Sequence, residues 1–98
     1  MIRHLVLWRL QAEDPVQKVR DAREIRSLLE PLVSIEGVRA IRVDENVAPI
    51  EINHDLVLTV DLDDLASLSR YADHPDHLAV IPSIRALTSD RVAIDVQL

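Results

Sequence analysis

The strongest constraint on this chain is the order in which its apolar residues switch between a period of two and a helical period. Ile2, His4, Val6, Trp8 and Leu10 alternate with Arg3, Leu5, Leu7 and Arg9, the pattern of a strand. Asp14-Pro15 then supplies a helix N-cap and a proline suited to the first turn. Val16, Val19, Ile25, Leu29, Leu32 and Val33 follow at helical spacing, and Pro31 weakens the last turn. Residues 38–45 read as a second strand, residues 46–53 as a proline-containing connection and the most flexible loop expected, and residues 54–62 as a third strand. In that third strand Leu56, Leu58, Val60 and Leu62 share one face. Asp63 or Asp64 is expected to cap a helix in which Leu65, Leu68 and Tyr71 lie on one side. A short helix with Leu78, Val80 and Ile81 begins at Pro75 and is expected to break at Pro82. The last strand sets Val92, Ile94, Val96 and Leu98 against Arg91, Ala93, Asp95 and Gln97. The order βαββαβ defines an α+β, ferredoxin-like protomer, a four-stranded antiparallel sheet with helices on one face.

Such a sheet leaves its other face uncovered. Leu5, Leu7, Val57 and Thr59 stand on the opposite parity from the more apolar faces of their strands, so a lone copy would expose apolar surface. Homodimerisation through the open sheet face is the simplest remedy. Gly37, the single glycine, falls between the first helix and Val38, where a tight turn or left-handed cap is needed. With 98 residues, 48% of them hydrophobic, and no repeat or linker, residues 1–98 are expected to form a single domain.

Composition removes several function classes. The net charge of −6, with basic residues scattered among acidic ones, does not make a nucleic-acid surface. The absence of cysteine excludes a disulfide framework, a thiolate nucleophile and a Cys-type zinc site. One glycine leaves no room for a phosphate-binding loop or a dinucleotide fingerprint, so no cofactor is expected. Apolar runs are too short to cross a membrane, and the amino terminus lacks a signal peptide's apolar stretch. No membrane partner is expected, and a cytoplasmic location is.

Chemistry is concentrated in Tyr71-Ala72-Asp73-His74-Pro75-Asp76-His77-Leu78. Pro75 disfavours helix at His74 and suits the start of a new one, so this stretch is a helix-to-helix junction with His77 in the first turn of the second helix. The positive end of the helix dipole there disfavours imidazolium, leaving a neutral ring able to take a proton. His77 with Tyr71 is a candidate catalytic pair: a base beside a hydroxyl that polarises a carbonyl oxygen. A buried polar pair that orients a ligand or satisfies itself is the preferred reading of the two. His4 and Trp8 share the inward face of the first strand and, with His74 and Asp55, are candidate ligand-binding residues. For His4 a hydrogen-bonded core histidine, for His74 a helix cap and for Asp55 a local backbone contact are the simpler roles. His4, His74, His77 and Asp55 include enough N and O donors for a metal, but His74 and His77 straddle a helix break, so no metal site is assigned.

Met1-Ile2-Arg3-His4-Leu5-Val6-Leu7-Trp8, the Glu36-Gly37-Val38 turn, His54-Asp55-Leu56-Val57-Leu58, Tyr71 to His77, and Asp90-Arg91-Val92-Ala93-Ile94-Asp95-Val96 together resemble the stress-responsive A/B barrel (Dabb) family over nearly the whole length. The resemblance implies a ferredoxin-like protomer and a dimeric α/β barrel made from two sheets. It also implies a small organic ligand bound between sheet and helices, with the physiological role open. Some members of that family are plant polyketide cyclases that perform a cofactor-free aldol cyclisation with a tyrosine and a histidine. Those residues correspond to Tyr71 and His77, and a pocket histidine on the first strand corresponds to His4. The alternative it implies is therefore a cyclase-like lyase. A cofactor-independent monooxygenase, as in related dimeric α/β barrels, is a third reading. With no phenylalanine and one tryptophan, the chain lacks the rings of an aromatic-lined polyketide pocket.

Overall fold

Strand β1 (Ile2–Leu10) is the hinge of the architecture, because both of its edges are paired. The computed structural model describes residues 1–98. Around β1 run α1 (Pro15–Leu29), a 3₁₀ turn (Glu30–Ser34), β2 (Val38–Glu45), β3 (Leu56–Leu62), α2 (Leu65–Asp73), α3 (Pro75–Leu87) and β4 (Thr88–Gln97). The sheet order is β2-β3-β1-β4, antiparallel throughout, which is the ferredoxin-like βαββαβ topology. No helix is long and apolar enough to cross a membrane.

The helix-facing parity of the two central strands makes the core floor: Val6, Trp8, Leu56, Leu58, Val60 and Leu62 are all buried. Ala22, Ile25 and Leu29 of α1 close onto it, followed by Leu32 from the 3₁₀ turn. Val16 and Val19, expected on the same face, are 61% and 39% exposed. The helical pitch explains this, since at ~100° per residue Val16 stands opposite Ile25. Asp14 caps α1 by accepting the Gln17 backbone N–H at 2.9 Å, and the helix tightens to 3₁₀ just before Pro31.

Gly37 carries the only positive φ, 91°. A Cβ there would lie 2.7 Å from Ser67 Cβ and closer still to its Oγ, so the turn into β2 requires glycine for both conformation and space. The strand β3 starts at Leu56, two residues later than expected, because Asp55 is occupied in closing the end of β1: it accepts from the Leu10 backbone N–H at 2.7 Å. The loop 46–53, expected to be flexible, is held by Arg9, whose guanidinium donates to the carbonyls of Ile52 at 2.8 Å and Asn53 at 3.2 Å.

In α2, Asp64 rather than Asp63 is the cap, accepting from Ser67 N at 2.8 Å. Ser67 and Tyr71 face the core, whereas Leu65, expected beside Tyr71, is 64% exposed. The helix α3 runs through Pro82 instead of breaking there. Pro82 is exposed, and burial of Ile84 with partial burial of Ile81 holds the helix against the core.

The opposite sheet face has no helix. Register pairs Leu5 with Ile94 and Leu7 with both Val57 and Val92, placing these apolar side chains together, with Val92 and Ile94 47% and 57% exposed. Across the same face Arg3 donates to both Asp61 oxygens at 2.8 and 3.0 Å, and this bidentate bond holds the Asp61 carboxyl below its ordinary range.

Candidate functional site

Between the helix layer and the β1 and β4 strands lies a cavity of about 370 Å³, at the small end of typical ligand sites. Its walls come from β1, β3 and β4 below and α1, α2 and α3 above. The helix α2 stops at Asp73, and His74 is extended, accepting the Asp76 backbone N–H on its Nδ1 at 3.1 Å and so capping α3. The junction that separates the two helices also sets Tyr71 and His77 side by side, with ring centroids 4.6 Å apart. His4 comes from β1 to a centroid distance of 6.3 Å from Tyr71.

Of the six residues singled out in the sequence, His4, Trp8, Tyr71 and His77 line this cavity. His74 does not, because its ring is used as the cap. Asp55 does not either: it lies at the far end of β1, bonded to Leu10 N and 3.3 Å from Lys18 Nζ. Of the four metal-ligand candidates only His4 and His77 share the cavity, and no group of three His, Cys, Asp or Glu side chains is spaced to hold a metal ion.

Each polar group in the cavity has a defined hydrogen-bonding state. His77 Nδ1 lies 2.9 Å from the Ala72 carbonyl, which can only accept, so Nδ1 carries the proton and Nε2 is the nitrogen left for a ligand. His4 Nδ1 likewise donates to Asp95 Oδ1 at 2.5 Å, fixing its ring. Tyr71 is 1% exposed, its hydroxyl is buried without a hydrogen-bond partner, and burial pushes its pKa up to about 12. At neutral pH it is therefore a hydrogen-bond donor and not a base. Together these groups can donate to a carbonyl or hydroxyl oxygen from Tyr71 and accept a proton at His77 Nε2.

Two polar lining residues and one positioning residue escaped the sequence reading. Arg85 comes from the last turn of α3 and Arg91 pairs in register with Trp8, both lining the cavity, while Asp95 stands behind His4, its partner in register, and holds its ring. The available signal was the alternation of β4: Arg91, Asp95 and Gln97, with Ala93 between them, stand on the parity that faces the helices, which a fully packed inner face would not carry.

The fold and the site define a class: ferredoxin-like α+β proteins with a half-enclosed apolar cavity between sheet and helices. The sequence profile of the stress responsive A/B barrel domain matches residues 2–98, and the chain belongs to that family. Among solved structures it is similar to a dimeric protein of unknown function and ferredoxin-like fold from Bacteroides fragilis, at 26% identity over 99% of this chain and 95% of that one, TM-score 0.86. A dimeric ferredoxin-like protein of unknown function from Thermobifida fusca shares 28% identity over 99% and 90% of the two chains, TM-score 0.81. A Dabb family protein with a ferredoxin-like fold from Mesorhizobium loti shares 25% over 99% and 95%, TM-score 0.76. No curated protein matches the chain in sequence.

Proposed function

We propose that this chain works as a cytoplasmic, single-domain homodimer that binds a small organic ligand in the cavity bounded by His4, Trp8, Tyr71 and His77. The observation that carries the reading is the Tyr71 hydroxyl, buried and unpartnered in a mostly apolar wall, next to a histidine with one nitrogen uncommitted. A buried donor without an acceptor costs about 1–3 kcal/mol, and a ligand oxygen removes that penalty. Homodimerisation rests on the apolar patch of Leu5, Leu7, Val57, Val92 and Ile94, and on the dimeric relatives. A cysteine-free composition supports the cytoplasm.

A second reading is favoured by the His77 tautomer. With Nδ1–H tied to Ala72, Nε2 is the nitrogen free to remove a proton from carbon next to a carbonyl while the Tyr71 hydroxyl donates to the carbonyl oxygen. That is the chemistry of a cyclase-like lyase. Thermal unfolding with small carbonyl compounds and phenols separates the readings. A binder should stabilise wild type by about 2–3 kcal/mol at a hundredfold excess over Kd, and His77→Ala should weaken the response. In an enzyme the same change abolishes turnover of the compound that binds. If Tyr71→Phe and His77→Ala alter nothing except the melting temperature of the free protein, neither role holds.

A further inference from the structure

The cavity carries two cations that the tyrosine-histidine chemistry does not use. Of the 11 lysines and arginines, Arg3, Lys18, Arg26, Arg39 and Arg42 are paired with carboxylates, and Arg9 and Arg70 donate to backbone carbonyls. Arg20, Arg23, Arg85 and Arg91 have no such partner. The first two project from the exposed side of α1, but Arg85 and Arg91 both line the cavity. They reach it from different elements, the end of α3 and the inner parity of β4, so their convergence is a product of the tertiary fold.

Position near a helix C-terminus accounts for a cation at Arg85. It does not account for Arg91, which stands across the strand pair from Trp8 with both neighbouring acidic groups engaged elsewhere: Asp90 holds His54 at 2.9 Å and Asp95 holds His4. The protein as a whole has a net charge of −6, yet this mouth presents two guanidinium groups and no unengaged carboxylate. Guanidinium forks match planar oxyanions and keep their charge at any physiological pH.

We propose that Arg85 and Arg91 form an oxyanion-binding end of the cavity and that its ligand is a small amphipathic organic anion. Its apolar body lies against Trp8, Val6 and Ile84, its carboxylate or phosphate ester group pairs with the two arginines, and an inner oxygen reaches the Tyr71 hydroxyl. This rests on the ligand-binding reading and adds the charge class of the ligand.

Trp8 is the only tryptophan and lines the cavity, so its fluorescence reports occupancy directly. The experiment titrates wild type, Arg85→Gln, Arg91→Gln, the double variant and Arg20→Gln with hexanoate, hexyl phosphate and neutral hexanamide, at low and high salt. The readout is the ratio of anion to amide affinity within each protein, which cancels any general loss of stability. Wild type and Arg20→Gln should prefer an anion by about tenfold or more, less at high salt, with each cavity arginine variant losing most of the preference and the double variant all of it. Whether hexanoate or hexyl phosphate shows the larger ratio identifies the group recognised. Equal affinity for anion and amide, or a preference that survives in the double variant, overturns the arginine assignment and leaves the ligand-binding cavity standing. No response to any of the three in wild type overturns both.

Discussion

Tyr71 is the single tyrosine of the chain, so its titration can be followed alone by ultraviolet difference absorbance. Burial raises its pKa to about 12 in the folded state, above the value near 10 of an unfolded chain. The phenol therefore stabilises the fold fully below about pH 10, and that contribution is lost as pH rises towards 12, because the unfolded state releases its proton first. We expect an absorbance midpoint near 12 in the folded protein and a loss of stability over that window in wild type that is missing in Tyr71→Phe; a midpoint near 10 would contradict the burial. At neutral pH Tyr71→Phe should raise the stability of the free protein by up to about 1–3 kcal/mol, since the hydroxyl has no partner to lose and its burial penalty disappears, while ligand affinity falls about tenfold. Local sequence made Tyr71 and His77 legible, because the Pro75 break fixes where one helix ends and the next begins. It offered His74 and Asp55 as ligand contacts or, more simply, as a helix cap and a backbone partner; the second role is the one found, although the N–H that Asp55 takes, that of Leu10, is not a local one. Asp95 and Arg91 were out of reach, since their roles depend on which residue of β1 each one faces.

Two turns decide how the helices sit on the sheet. At Gly37 an alanine would meet Ser67 of α2 in a conformation that L residues rarely adopt, so Gly37→Ala should cost roughly 1–3 kcal/mol. Urea unfolding measures this, and a variant as stable as wild type would mean that α2 can move away from the turn. At Asp64 the Ser67 backbone N–H holds the carboxyl below its usual range. Its stabilising contribution is present above the ordinary aspartate range and disappears as pH falls through the lowered value. The stability difference between wild type and Asp64→Ala, followed by thermal unfolding from neutral to acid pH, should accordingly shrink at the acid end; a constant difference would remove the carboxylate from the account. Both elements were readable as caps and turns in the sequence. The continuation of α3 past Pro82 was not, because proline's local cost is overridden by burial of Ile84 against α1 and the sheet.

For the whole molecule, the uncovered sheet face is an unpartnered apolar surface, and exposed Ile52 of the 46–53 loop borders it beside Leu7 and Val57. Leu7→Arg or Val57→Glu should convert the proposed dimer to monomer or aggregate in analytical ultracentrifugation, because an unpaired charge in a sheet-to-sheet interface costs several kcal/mol. A well-folded dimer carrying either change would place the interface elsewhere. By itself the sequence determined the βαββαβ order, the caps at Asp14 and at one of Asp63 and Asp64, the glycine turn and the half-apolar open face. Each follows from interactions between residues a few positions apart or from strand parity, which a linear chain displays. Tertiary structure alone decided that Arg85 and Arg91 join His4, Trp8, Tyr71 and His77 around one cavity, with Asp95 holding the His4 ring. That grouping depends on the β1–β4 register and on the placement of α3 over the sheet edge. Contacts between residues as far apart as His4 and Asp95 are selected by the packing of the entire core and carry no local signature in the chain.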